Sequence, residues 1–210
     1  MIFDIFYKML PIVVLVALFV VAMFFFIVYY RGMKKVNTIL RNQALKRVGT
    51  LKENYFSSGS SVLTFPYQDF NVKIYAVAPY FTGEQTYFLV SFDKILENNM
   101  TIKYRTRLST TSNDSMQSRY IKTGNSEFDV LYKIKGKNPN FATDVLTVDI
   151  RKKLLEIKNY KPFIKLEKDN LKLVAQNFVL MDEDFDKLIG VVQKFIDRLI
   201  ELKAFQDVLH

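Results

Sequence analysis

The chain has 210 residues, a net charge of +9, no Cys, no Trp and a single His, at position 210. Without Cys there is no disulfide framework and no thiolate nucleophile. With His210 as the lone imidazole, Ser-His-Asp and Cys-His arrangements and His-based zinc sites are excluded.

The first eight residues, with Asp4 and Lys8 cancelling in charge, are an interfacial lead-in or an extension of the apolar run after them. Met9–Tyr30, MLPIVVLVALFVVAMFFFIVYY, carries no charge and no Gly. At about 1.5 Å per residue it spans roughly 33 Å, against a bilayer core of about 30 Å. The run is longer than the apolar core of a cleaved signal peptide and ends in bulky residues without a small-x-small cleavage pattern. It is therefore predicted to be a retained anchor. Pro11 sits in its first turn, where the missing N–H is harmless, and Tyr29 and Tyr30 suit the membrane interface.

Residues 31–56 hold seven Lys or Arg against one Glu53, which is +6 of the chain's +9. Arg31, Lys34, Lys35, Arg41, Lys46 and Arg47 follow the anchor, whereas only Lys8 and the α-amino group precede it. The positive-inside rule then puts the C-terminal domain in the cytoplasm. The periplasmic or extracellular side is the alternative. The same six side chains are candidates for contact with anionic headgroups at the membrane surface, each worth about 1 kcal/mol there. Met33, Val36, Leu40, Ala44, Val48, Leu51 and Tyr55 recur at steps of three and four, predicting an amphipathic basic stalk helix over 32–56. Nucleic acid is not an expected partner, because a nucleic-acid-binding domain keeps its charge on its own surface; here the excess lies beside the anchor.

The soluble domain begins at residue 57. Ser57–Ser61 reads as a loop. Val62–Phe65, Phe70–Ala78, Thr86–Phe92, Thr101–Leu108, Arg119–Lys122 and Phe128–Lys135 are short, aromatic and β-branched, predicting strands of an antiparallel meander. Ser109–Ser118 is a polar connection. Asn99-Met100-Thr101 and Asn113-Asp114-Ser115 match the glycosylation triplet, which a cytoplasmic domain does not use. Pro139–Leu146 is a short helix or turn. Thr147 caps a helix that carries Ile150, Leu154 and Ile157 on one side. Phe163–Glu167 and Leu171–Ala175 form a hairpin around Asp169-Asn170. A long helix closes the chain, capped by Asp182 or Asp184. Its Phe185, Leu188, Val192, Phe195, Leu199 and Leu202 step by three and four as a seam for a sheet or a partner helix.

Phosphate-binding and dinucleotide-binding glycine motifs and the EF-hand loop are absent from the sequence. Asp182, Glu183, Asp184 and Asp186 are read as the acidic first turn of a helix, favourable to its dipole, rather than as a Mg²⁺ or Ca²⁺ site. No cofactor or metal is expected. Phe128-Asp129, Leu146-Thr147, Ile150-Arg151 and Leu154-Leu155, followed by the hairpin and closing helix, resemble the C-terminal part of a loose group of bacterial and archaeal membrane-anchored proteins. That resemblance implies an antiparallel α+β domain tethered to a membrane, and brings no catalytic residues with it.

The sequence thus predicts an α+β protein in three parts: an anchor at 1–31, a stalk at 32–56 and a domain at 57–210. The expected role is a non-enzymatic accessory or scaffold subunit that meets the bilayer and protein partners, or further copies of itself. The alternatives are an extracytoplasmic module of a pilus-, secretion- or motor-type machine, and binding of anionic lipid or nucleic acid through the basic stalk.

Overall fold

The computed structural model describes residues 2–53, 60–77, 83–105 and 120–206. The polar connection 109–118, the second glycosylation triplet, Tyr55 and His210 lie outside them.

One helix, α1, runs without interruption over Ile2–Lys46. It begins before the apolar run, so Pro11 lies inside it rather than in its first turn. There the proline leaves the carbonyl of Tyr7 without its usual helical donor. From Leu10 to Tyr30 the large apolar side chains are exposed, Leu15 at 67% and Phe25 at 66%. The pattern then changes. Met33, Val36, Ile39, Leu40 and Ala44 are buried, while Lys34, Lys35 and Arg41 stay in solvent. The predicted stalk is thus the second half of the same helix, and it ends about ten residues earlier than its pattern implies. Val48 adopts a left-handed conformation at φ 51° and closes the helix. Gly49 then passes so close to the neighbouring strand that a Cβ there would lie 2.9 Å from a Leu63 methyl and from the Thr64 carbonyl oxygen. Thr50–Lys52 continues as strand β1, so Leu51 faces Leu63 across a ladder instead of lying on a helix.

The remaining strands of the main sheet are β2 (Val62–Tyr67), β3 (Phe70–Val77), β4 (Gln85–Ser91), β6 (Met100–Tyr104), β7 (Tyr132–Gly136), β8 (Phe163–Leu166) and β9 (Asn170–Ala175). Their order is β1-β2-β3-β4-β9-β8-β6-β7, with every neighbour antiparallel. Of the expected meander, β2, β3 and β4 follow in order, with β1 added before them where the pattern predicts helix. The late β8–β9 hairpin then inserts between β4 and β6 rather than adding at an edge. Two-residue strands β5 (Ile95–Leu96) and β10 (Phe205–Gln206) pair separately.

Strand alternation gives the sheet two faces. Leu63, Phe65, Val72, Ile74, Phe88, Val90, Ile102, Ile134, Ile164, Leu171 and Leu173 point inward and are buried. Helices α2 (Ser126–Leu131), α3 (Pro139–Val145), α4 (Val148–Glu156) and α5 (Asp182–Glu201) join α1 in covering them. Most of a buried Leu or Phe is removed from water at a gain of about 1.5–3 kcal/mol each, so this single inner layer supplies most of the driving force.

Two local readings are corrected. Phe128 opens no strand. Asn125 accepts a hydrogen bond from the Phe128 amide at 3.0 Å and caps α2, after Gly124 turns the chain at φ 78°. The strand starts only at Tyr132, on whose ring Phe128 stacks at 4.6 Å. Of the strand expected at Arg119–Lys122, Ile121 makes one isolated bridge to Ile134, and Arg119 lies outside the described residues. The helix caps at Thr147 and, for α3, Asn138 use their side chains. The N-cap of α5, however, is Met181, which offers none, so neither Asp182 nor Asp184 is the cap.

Candidate membrane-mounting site

The place where α1 leaves its exposed apolar stretch and enters the domain is built from three layers of residues.

The first layer lies at the level of Tyr29 to Gly32. Phe178, on the segment between β9 and α5, is buried and sits 6.3 Å from the Tyr29 ring. Gly32 makes this approach possible, because a Cβ there would lie 3.2 Å from the Phe178 ring. The domain therefore touches the helix within one turn of the end of the apolar run.

The second layer is the collar Arg31, Lys34 and Lys35. All three are exposed, and none pairs with a carboxylate among the described residues. They remain available to a headgroup layer.

The third layer is a polar lock near the C-terminal end of α1. Gln43 is fully buried and donates to an Asp182 carboxylate oxygen at 2.7 Å and to Asp186 at 3.2 Å. Arg47 donates to Gln43 and, at 2.6 Å, to Asp186, while its guanidinium lies 5.7 Å from the centre of the Phe65 ring. Lys46 pairs with Asp182 and, at 3.3 Å, with Asp186. Burial raises the pKa of Asp186, but hydrogen bonds from Arg47, Gln43 and Lys46 outweigh it and hold the carboxyl below its ordinary value. The acidic first turn of α5 is therefore engaged by cations of α1. Asp184 is held separately. The Tyr160 hydroxyl donates to it at 2.6 Å and Lys187 pairs with it at 2.9 Å. These contacts, the Tyr160 bond first, outweigh burial and lower its pKa.

The six predicted membrane-surface cations thus divide. Arg31, Lys34 and Lys35 keep that option. Arg41 bonds Glu53 at 2.5 Å, and Lys46 and Arg47 are committed to α5. The sequence could not set Lys46 and Arg47 apart, because their carboxylate partners on α5 lie more than 130 residues away. The predicted partner seam is also redirected. Phe185, Leu188, Val192, Phe195 and Leu199 are fully buried, and Leu202 is half-buried against the same core. The sheet's inner face and α1 cover this seam, so it is not open to another helix. Gln43 and Phe178 carry no mark in the sequence. Only Gly32, a poor helix former in the middle of a helical pattern, signals a close approach.

Among the described residues one helix, the Ile12–Lys46 part of α1, is long and apolar enough to cross a membrane, and none of its most apolar stretch is buried in the protein. Neither a protein-family model nor a curated protein matches the chain. Among solved structures, the mycobacterial trehalose monomycolate transport factor A, TtfA, shares the fold with a TM-score of 0.56. It is 8% identical, and the match covers 83% of this chain and 98% of that one. At such identity the likeness shows the fold alone.

Proposed function

We propose that this chain is a non-enzymatic accessory or scaffold subunit of a membrane complex, with its domain on the cytoplasmic face. The observation that carries the reading is the continuity of α1. The exposed apolar half and the half buried in the domain are one helix, clamped at Gly32–Phe178 and again at Gln43–Asp186. Such a mount holds a folded surface at a fixed height and angle beside a bilayer, which serves protein contacts. A transport factor with the same fold supports an accessory role in a membrane process. The exposed collar of Arg31, Lys34 and Lys35 supports the cytoplasmic side, because positive flanks are retained there.

Protease shaving of spheroplasts carrying a C-terminally tagged chain tests the orientation. The tag is expected to survive protease until the cells are lysed. Loss of the tag from intact spheroplasts would overturn the cytoplasmic assignment and favour an extracytoplasmic module of an envelope machine. Purification in mild detergent tests the scaffold role: a partner or a second copy is expected to remain bound, and a strict monomer would count against it.

A further inference from the structure

The outer face of the sheet carries a pattern that neither the core nor the mount uses. Strand alternation and register bring seven lysines to it: Lys52 on edge strand β1 and, from β3 to β7, Lys73, Lys103, Lys133, Lys135, Lys165 and Lys172. Reading across the ladders, Lys73 faces Leu89, Leu89 faces Lys172, Lys172 faces Lys165, Lys165 faces Thr101 and Thr101 faces Lys135. At about 4.8 Å per strand this row is roughly 24 Å long. One step along the strands, Lys103 lies directly opposite Lys133.

Like charges placed directly opposite each other across a ladder are destabilising. Here there are two such pairs, Lys165–Lys172 and Lys103–Lys133, on one face. Among the described residues only Lys165 has a carboxylate partner, Glu167 at 2.6 Å. At the β6–β7 end, Lys103, Lys133 and Lys135 line a cleft of about 290 Å³ closed on one side by Tyr120. An arrangement unfavourable to the free protein becomes favourable when an anion covers it.

We propose that this face docks an extended acidic segment of a partner protein, held by Lys73, Lys172, Lys133, Lys135 and Lys103. The proposal rests on the scaffold reading above and names the chemistry of its partner. Three observations choose the occupant. Adjacent strands turn by about 20–25°, so across the five steps from β3 to β7 the row winds through more than 90°. A flat bilayer cannot meet both ends, whereas a flexible chain follows the twist. Lys73 is also remote from the membrane. Asn37 bonds Ser61 at the start of β2, and Arg47 covers Phe65 farther along the same strand, so α1 and β2 run side by side. Lys73 faces Thr64, which places it about 20 Å along α1 from Arg31, beyond the roughly 8 Å reach of an anionic surface at physiological salt. Finally, the tyrosine rings of this face are occupied, which leaves only Phe163 open among its described aromatic residues. Tyr75 and Tyr87 stack on each other at 5.1 Å, Lys172 covers Tyr87, and Lys133 and Lys135 cover Tyr120. Bases of a single-stranded nucleic acid need open rings on which to stack. Carboxylates need only the ammonium groups, with half-buried Leu89 and Phe163 between them for apolar contact.

The test uses the full chain in its own membranes, with photoreactive benzoylphenylalanine at Leu89, between Lys73 and Lys172. A second probe replaces Leu45, an exposed residue of α1 remote from this face. Cross-linked peptides are sequenced by mass spectrometry. The Leu89 probe is expected to capture protein segments rich in Asp and Glu. Its yield is expected to fall at least tenfold in K73E/K133E/K172E, whose thermal midpoint is expected to be no lower than that of the parent, because K133E and K172E turn both like-charged pairs into opposite-charged ones. Adducts to nucleic acid or lipid, adducts to segments without acidic character, or a yield indifferent to charge reversal would each overturn the proposal. If Leu45 captures protein and Leu89 does not, the scaffold reading survives and the docking face is wrong. If neither does, both fail.

Discussion

The two halves of α1 have the same backbone and opposite surroundings. From Ile12 to Val28 it is apolar on every side and exposed on every side. From Met33 to Lys46 it is apolar on one stripe, and that stripe is buried to the last methyl at Val36 and Leu40. A helix that is hydrophobic all round asks for a hydrophobic solvent, whereas an amphipathic one asks for a neighbour. The switch happens within one turn, at Arg31 and Gly32, with no break in the helix. The boundary between the two environments is therefore written in side chains alone.

The largest contrast comes from equivalent truncations in the two halves. Leu40→Ala is expected to destabilise the domain by about 2–5 kcal/mol, because it opens a cavity against the sheet. Leu15→Ala or Leu18→Ala should leave domain unfolding unchanged. Urea unfolding in detergent, followed by tyrosine fluorescence, reads both, and equal losses would break the distinction.

Next in size is the contact at the boundary. Gly32→Ile forces Phe178 to move and is expected to cost about 1–3 kcal/mol. Hydrogen exchange of residues 176–181 should rise sharply while that of β3 and β4 holds. If it does not, the first clamp is not a clamp.

Smaller again is the polar lock. Arg47→Ala removes a cation from the partly exposed Asp186 and from the buried amide of Gln43. About 1 kcal/mol is expected after allowing for solvent screening. A double-mutant cycle with Asp186→Asn should recover most of it as coupling, and additive losses would refute the pairing.

The smallest effect is a pH limb. Asp184 and Asp186 are held below their ordinary value of 3.8 in the folded chain. Their stabilising contribution is therefore complete above that pH and is lost as the pH falls below it. Thermal midpoints should decline on that acid limb, and D184N/D186N should flatten it. A limb unchanged by that pair of substitutions would assign it to other carboxylates.

How much is legible in the sequence depends on the range of the forces involved. The long apolar helix, the strands from Val62 to Phe92, the Thr147 cap and the β8–β9 hairpin rest on local pattern, and each stands where the pattern puts it. The stalk helix reads too long, because Val48 and Leu51 continue a three-four rhythm while Gly49 needs a close approach to Leu63 that only the folded chain reveals. Phe128 reads as strand because aromatic and β-branched residues come after it. The Asn125 side chain, bonding three residues ahead, outweighs that preference. The acidic first turn of α5 reads as favourable to the helix dipole. Asp182 in fact pairs with Lys46 of α1 and Asp184 accepts from Tyr160, and no local rule reaches across those separations. The insertion of β8–β9 between β4 and β6 likewise depends on which edges remain free once the meander has formed.

An uninterrupted helix that is both an exposed apolar rod and a core element transmits rotation as well as position. Each residue of an α-helix advances the chain by about 1.5 Å and turns it by about 100°. Inserting a single alanine between Tyr30 and Arg31 would barely lengthen the span from the apolar half of the helix to the domain. It would, however, swing every surface of that domain more than a quarter turn about the helix axis, so that whatever faced a neighbour would face elsewhere. The phase between the exposed apolar half of α1 and the outer sheet is thus a fixed property of this chain, set by residue count.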